Sequence, residues 1–281
     1  MLVLPGFGEF IEKYHETVED LLLRGFDVHV IDWYGHGLST RALGNRDKVH
    51  LDDFQRYVVD LNRLVEAMHQ LNDPTRFRMV LGHSLGAHVA LRYLHDRPRA
   101  FNAAVLTSPM VDINYRGMPR AVARLLAGTL CASGLSRRYV FGARDYAAAR
   151  VRFEGNRRTS DRRRFQNQHA WIAANPELAV GGPTFGWVRA AQQSIALTER
   201  AGFARAIPTP TLIVAARRDG IVRTEATERL ARAMPDATLI EIADSLHEIL
   251  IERDPIRALF WQQFDRFLGI ESGGIDSGAA A

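Results

Sequence analysis

The pentapeptide Gly82-His83-Ser84-Leu85-Gly86 constrains this chain more than any other feature. It follows the apolar run Met79-Val80-Leu81 and opens a helix-patterned stretch over 85–95. A G-x-S-x-G at a strand-to-helix junction implies a very tight turn that lifts the serine hydroxyl clear of a sheet. Such a serine has a strained backbone, and flanking glycines remove Cβ atoms that would otherwise collide. The following helix aims its first amides at the serine, where negative charge develops in acyl transfer. The expectation is that Ser84 is a nucleophile. The plainer alternative for the same residues is a serine capping a helix.

The flanking chain supplies the sheet. Leu2-Val3-Leu4 and the runs 28–31, 79–81, 103–106, 211–215 and 238–242 are short and apolar. Helical patterns alternate with them. Ile11, Tyr14, Val18, Leu21 and Leu22 share one face; Phe54, Val58, Leu61, Leu64, Val65, Met68 and Leu71 mark another. A helix around 224–233 and a last one carrying Ile256, Leu259, Phe260, Phe264 and Phe267 complete the series. This alternation predicts α/β architecture, a mostly parallel sheet flanked by helices. Between about 109 and 205 it stops, leaving helical stretches and turn residues. The expected organisation is a core of 1–108 and 206–268, a helical cap inserted at 109–205, and a flexible tail of small residues at 269–281.

A serine hydroxyl needs a base. In the strand-and-helix context of this motif the order along the chain is serine, acid, histidine. His95 sits near the end of the helix that Ser84 opens, and His169 lies within the insertion. His247 follows the run 238–242 in Ala-Asp-Ser-Leu-His-Glu, a loop at a strand's C-terminal end, where catalytic groups gather. Asp219, just after the run 211–215, is the preferred acid; Asp244, in the histidine's own loop, is the rival. The glycine-rich stretch Leu4-Pro5-Gly6-Phe7-Gly8 after the first strand suits an oxyanion site. Its expected donors are the amides of Phe7 and Leu85.

Several stretches together resemble one family. Pro5 to Tyr14, Asp32-Trp33-Tyr34-Gly35-His36-Gly37-Leu38-Ser39, the pentapeptide with Ala87-His88, and Ser245-Leu246-His247-Glu248-Ile249-Leu250 are similar to the lysophospholipase L2 and monoacylglycerol lipase group of α/β-hydrolases. Gly181-Gly182-Pro183-Thr184-Phe185-Gly186-Trp187 resembles the bacterial lysophospholipase L2 type. The resemblance implies a Ser84, Asp219, His247 triad, oxyanion donors at Phe7 and Leu85, and a helical cap whose substrate-binding residues it leaves unassigned. It implies cleavage of a lysophospholipid acyl ester without metal or organic cofactor. It also implies strands before Leu2, so the sheet is expected to lack its first strands here and to expose the strand near Val28. Tyr34 stands where such proteins often carry Arg, and Pro5 where many lipases carry His. A monoacylglycerol lipase, a small-ester carboxylesterase or peptidase, and an inactive binding protein on the same scaffold stay open.

Composition narrows the partners. The chain of 281 residues has a formal charge of +4 and a pI near 9.5, and Lys13 and Lys48 are its only lysines. Thirteen arginines lie between Arg116 and Arg164 against Asp145, Glu154 and Asp161. They are either a solvated face or a contact for an anionic membrane surface or a phosphate headgroup. Nothing couples them to a base-reading motif, so nucleic acid is not an expected partner. Oligomeric state is not legible. Cys131 is the sole cysteine, which excludes an internal disulfide and a thiolate zinc cluster and suggests a small buried apolar residue. The N-terminus has no signal-peptide pattern, and no apolar run reaches the ~20 residues that span a bilayer. The cytoplasm is the expected location.

Overall fold

The computed structural model describes residues 1–71 and 77–270; of the tail expected at 269–281, residues 271–281 lie outside the described residues. Six strands form one sheet: β1 (Leu2–Leu4), β2 (His29–Val30), β3 (Met79–His83), β4 (Ala103–Thr107), β5 (Thr211–Ala216) and β6 (Ala237–Ile242). Their order is β2-β1-β3-β4-β5-β6, and every pairing is parallel. Parallel pairs need crossover connections, and the helices α1 (His15–Leu23), α2 (Gln55–Leu71), α3 (Leu85–Asp96) and α7 (Thr224–Ala233) provide them, while α8 (Asp254–Leu268) follows the last strand.

The sheet is buried on both faces, which explains why its strands read as continuous apolar runs rather than alternating ones. β1 shows the division. Leu2 and Leu4 join a core with Tyr57, Leu61, Val89 and Leu230 from α2, α3 and α7. Val3 points the other way, into a core with Leu21 of α1 and Phe260 and Phe264 of α8. All three β1 residues are fully buried, and each core side chain of this size contributes about 1.5–3 kcal/mol.

β2 is shorter than the expected 28–31. It is an edge strand paired on one side only, and β1 offers just Leu2 and Val3 as partners. With His29 exposed, little flat apolar edge remains for unwanted pairing.

Between β4 and β5 the chain forms α4 (Arg120–Leu130), α5 (Arg162–Ala174) and α6 (Phe185–Thr198), joined by turns. Two features anchor this segment. The Arg164 side chain, almost fully buried, bonds Glu16 of α1, Asp161, and Asp254 of α8 at 2.6 Å, and donates to the Glu252 carbonyl at 2.7 Å. The turn entering α6 is built on glycines: a Cβ at Gly181 or Gly182 would overlap Arg144 or Ala143, and one at Gly186 would stand 2.6 Å from the His50 ring. Thr184 caps α6 by accepting from the Trp187 amide at 3.3 Å. Cys131 lies half-buried rather than in the core, because the π-helical turn that it opens after α4, Cys131–Leu135, packs none of its residues into the interior.

Candidate active site

The strand ends place the chemistry. Ser84 follows β3 directly and has φ 51°, ψ −109°, the strained elbow expected for an exposed hydroxyl. Sterics show why glycines flank it. A Cβ at Gly86 would overlap the Leu4 carbonyl oxygen of β1, and one at Gly82 would stand 2.7 Å from Ala87 Cα. Hydrogen bonds hold the turn: the Ser84 amide donates to the Thr107 carbonyl at 2.9 Å, and the Ser84 carbonyl accepts from His88 and Met110 at 3.0 and 3.1 Å.

His247 reaches this turn from the loop after β6. Its Nε2 lies 2.9 Å from Ser84 Oγ, and its Nδ1 lies 2.6 Å from Asp219 Oδ2. Asp219 follows β5, and its second oxygen accepts the amides of Ile221 and Val222 at 2.8 and 2.9 Å. An ionised carboxylate can only accept, so the Nδ1 proton belongs to the histidine and Nε2 is left to accept from the serine. Burial alone would raise the Asp219 carboxyl. The adjacent imidazole and the hydrogen bonds it receives outweigh that and hold it below its ordinary value. Among the described residues Asp219, and not Asp244, is the carboxylate bonded to the His247 ring.

The other predicted residues sit around these three. Phe7 is on the loop after β1, and Leu85 is the first residue of α3. Among the described residues neither amide proton has an acceptor within the chain. The Phe7 ring packs edge-on against Trp187 of α6, 4.6 Å between centroids, and against His36 at 5.3 Å. Trp33 Nε1 donates to the Pro5 carbonyl at 2.8 Å and steadies the same loop.

Two groups of residues were not singled out from the sequence. The first is a buried ionic cluster. Glu9 accepts from the Gly6 amide and, at 2.6 Å, from the Tyr14 hydroxyl. Lys13 Nζ lies 2.5 Å from Glu9 and 2.9 Å from Glu248, the residue after His247. Burial would raise the Glu9 carboxyl, but Lys13 and the hydrogen bonds hold it well below the carboxylate range. Lys13 thus ties the glycine loop to the histidine loop. The i,i+4 spacing of Glu9 and Lys13 was a visible signal; the partner at 248 was not. The second is Ser108, at φ 43° after β4, whose hydroxyl donates to the His247 carbonyl at 2.9 Å.

A cavity of about 320 Å³ opens onto Ser84 and His247. Phe7, Gly8 and Ile221 line it with Tyr146, Arg158, Gln168, His169, Ile172, Val180 and Gly181 of the stretch between β4 and β5. The sequence left the binding residues in 109–205 unassigned; these residues of that stretch line the cavity. Much of the arginine-rich stretch is otherwise engaged. Arg162 pairs with Glu154 at 2.6 Å and Arg163 with Glu16 at 3.5 Å, while Arg157 donates to the Gly220 carbonyl.

Residues 1–254 match the Hydrolase_4 family, described as serine aminopeptidase, S33. The chain belongs to that family. This Hydrolase_4 member is also similar to the probable lysophospholipase L2 of Haemophilus influenzae, with 30% identity over 272 residues, 97% of this chain and 84% of that protein. It is 33% identical to lysophospholipase L2 of Escherichia coli K12 over 269 residues, covering 92% of this chain and 77% of the relative. Among solved structures, a soluble variant of the Saccharomyces cerevisiae monoglyceride lipase, in complex with a substrate analog, superposes with a TM-score of 0.75 over 95% of this chain and 84% of that one, at 19% identity. The Hydrolase_4 chain therefore has the α/β-hydrolase fold and is a hydrolase. Among the described residues no helix is long and apolar enough to cross a membrane.

Proposed function

We propose that this hydrolase cleaves the acyl ester of a lysophospholipid, releasing a fatty acid and a glycerophospho-alcohol. The observation that carries the reaction is the hydrogen-bond chain Ser84–His247–Asp219, 2.9 and 2.6 Å, at the mouth of the cavity. Ser84 Oγ attacks the ester carbonyl carbon while His247 Nε2 takes its proton. Asp219 stays ionised and steadies the imidazolium. The Phe7 and Leu85 amides receive the oxyanion, where one lost donor costs ~10²–10³ in rate. The tetrahedral intermediate then collapses, the ester C–O bond breaks, and the departing alcohol takes the proton from His247. Water, deprotonated by His247, attacks the acyl-Ser84 ester and frees the acid.

The lipid substrate is supported by the names of the relatives. It is also supported by the surface of 109–205, read as a cap. Val122 and Leu125 are exposed on α4 at i,i+3 spacing, with Met118 exposed in the turn before it and Phe141 exposed further along the chain. The test is release of free fatty acid from a lysophospholipid and a monoacylglycerol of matched chain length, with Ser84→Ala protein as the blank. We expect a higher kcat/KM on the lysophospholipid. Preference for the neutral lipid, or release from neither, would overturn the substrate assignment.

The same α4 face, flanked by Arg116 and Arg124, is our proposed contact with an anionic membrane surface, while Arg120 is held by Glu199. Replacing Val122 and Leu125 by Ser should weaken sedimentation with anionic vesicles by about tenfold or more, since each change removes roughly 1.5 kcal/mol of apolar burial. Unchanged sedimentation would place the contact elsewhere.

A further inference from the structure

We infer that Arg158, His169 and Glu248 form the headgroup subsite, with Arg158 holding the phosphate and the other two holding the free glycerol hydroxyl. This rests on the lysophospholipid reading and assigns residues to it. All three line the cavity that opens onto Ser84.

The unsatisfied atoms point to the ligand. His169 Nε2 and Glu248 Oε2 are both buried, and neither has a hydrogen-bond partner among the described residues. Glu248 is only 5% exposed, so its bare oxygen carries a desolvation penalty that a ligand donor would relieve. Its other oxygen is held by Lys13 at 2.9 Å, which offsets the repulsion that a nearby phosphate would feel. The Tyr146 hydroxyl lies 3.1 Å from His169 Nδ1. When Tyr146 donates to Nδ1, the Nε2 position carries the proton and becomes a donor. A carboxylate acceptor and an imidazole donor in one cavity are both satisfied by one hydroxyl, which donates to Glu248 and accepts from His169. A lysophospholipid has one such hydroxyl beside its ester, and a phosphate one carbon further on.

Arg158 supplies the anion contact. Neighbouring Arg162, Arg163 and Arg164 all pair with carboxylates, whereas among the described residues Arg158 has no carboxylate within ion-pair reach. Its guanidinium carbon lies 5.8 Å from the Phe165 ring centroid. Its carbonyl accepts the Glu248 amide at 2.7 Å, and the Arg157 carbonyl accepts the His247 amide at 3.4 Å. The subsite is therefore fastened to the loop that carries the proposed base. Burial holds His169 neutral, with its pKa lowered to about 4, which suits a hydroxyl contact.

The test uses three esters of one acyl chain: a lysophospholipid, a 1-monoacylglycerol and a p-nitrophenyl ester without glycerol. Wild type, Arg158→Gln and His169→Leu are compared by ratios of kcat/KM. Arg158→Gln should lower the lysophospholipid-to-monoacylglycerol ratio by about tenfold or more, the scale of one hydrogen bond to a charged group. His169→Leu should lower both glycerol esters about tenfold relative to the p-nitrophenyl ester and leave their mutual ratio in place. Glycerophosphocholine should inhibit the wild type competitively, and inorganic phosphate should not; the reverse would make this a free-phosphate site and overturn the assignment. A uniform fall on all three esters would mean that the residues only support the fold. Constant ratios in the variants, with an active wild type, would sink the subsite alone. A wild type inactive on all three would sink the ester-hydrolase reading and the subsite with it.

Discussion

Ser84→Ala is expected to lower kcat on a p-nitrophenyl ester by about 10⁶-fold while the protein stays folded. The substitution removes the Ser84 atom that is hydrogen-bonded to His247, and it leaves the elbow's backbone bonds to Thr107, His88 and Met110 in place. Thermal unfolding should therefore move by only a few degrees. His247→Ala should cost nearly as much, and the double variant should be no worse than either single one, because nucleophile and base act as a unit. Asp219→Asn should cost about 10⁴-fold, through loss of the tautomer that leaves Nε2 free to accept. Initial rates on purified variants, with circular dichroism to establish folding, settle the matter. Single losses that multiply in the double variant, or a Ser84→Ala protein within about a hundredfold of wild type, would rule out Ser84 as nucleophile and His247 as its base.

The second large effect is on stability: the protein should unfold as pH falls from about 6.5 towards 4.5. His36, His83 and His88 are fully buried, and burial lowers their pKa to about 4, 3 and 3. Arg92 beside His88, Arg41 beside His36, and His247 and Lys13 beside His83 push the same way, and Glu9 opposes them at His36 and His83. The sign follows from linkage. Above about pH 6.5 these histidines are neutral in both states and contribute nothing. Below it the unfolded chain binds protons that the folded chain refuses, so stability is lost as pH falls towards the folded pKa values. Each such group costs at most about 1.4 kcal/mol per pH unit. Three of them remove several kcal/mol by about pH 4.5, from a total of roughly 5–15. Glu9 and Asp219, both depressed, add a further loss below about pH 4. Urea unfolding at half-unit steps from pH 8 to 4.5 reads this directly. His88→Gln should flatten the slope between pH 6 and 5 by about one histidine's share. A stability that stays level down to pH 5 would contradict the account.

How much of this was legible depended on sequence distance. The strands were readable because a sheet buried on both faces writes itself as apolar runs, and the elbow because Ser84 and its glycines are contiguous. Asp219 and His247 were legible as candidates because each lies in the loop that follows a strand, β5 and β6. What escaped was pairing across the chain. Glu9 and Lys13 meet Glu248 only after the sheet has brought the β1 and β6 loops together. Ser108 is 139 residues from the carbonyl it supports. Arg164 reads as one of a basic run, yet it is a buried clamp, because Glu16 and Asp254 come from distant helices. Charge counts cannot separate it from Arg158, whose guanidinium has no such partner among the described residues.

The elbow has a practical consequence for anyone handling this protein. Its turn closes only when Gly86 is seated beneath the Leu4 carbonyl, and its hydroxyl is matched only when a histidine 163 residues away has arrived. On the proposed mechanism, a chain that has lost either contact would present an ordinary, unreactive serine alcohol. With Ser84 as the proposed nucleophile, its labelling by a fluorophosphonate is expected to count correctly assembled molecules, which would make the labelled fraction of a preparation an assay of refolding yield that requires no knowledge of the natural substrate.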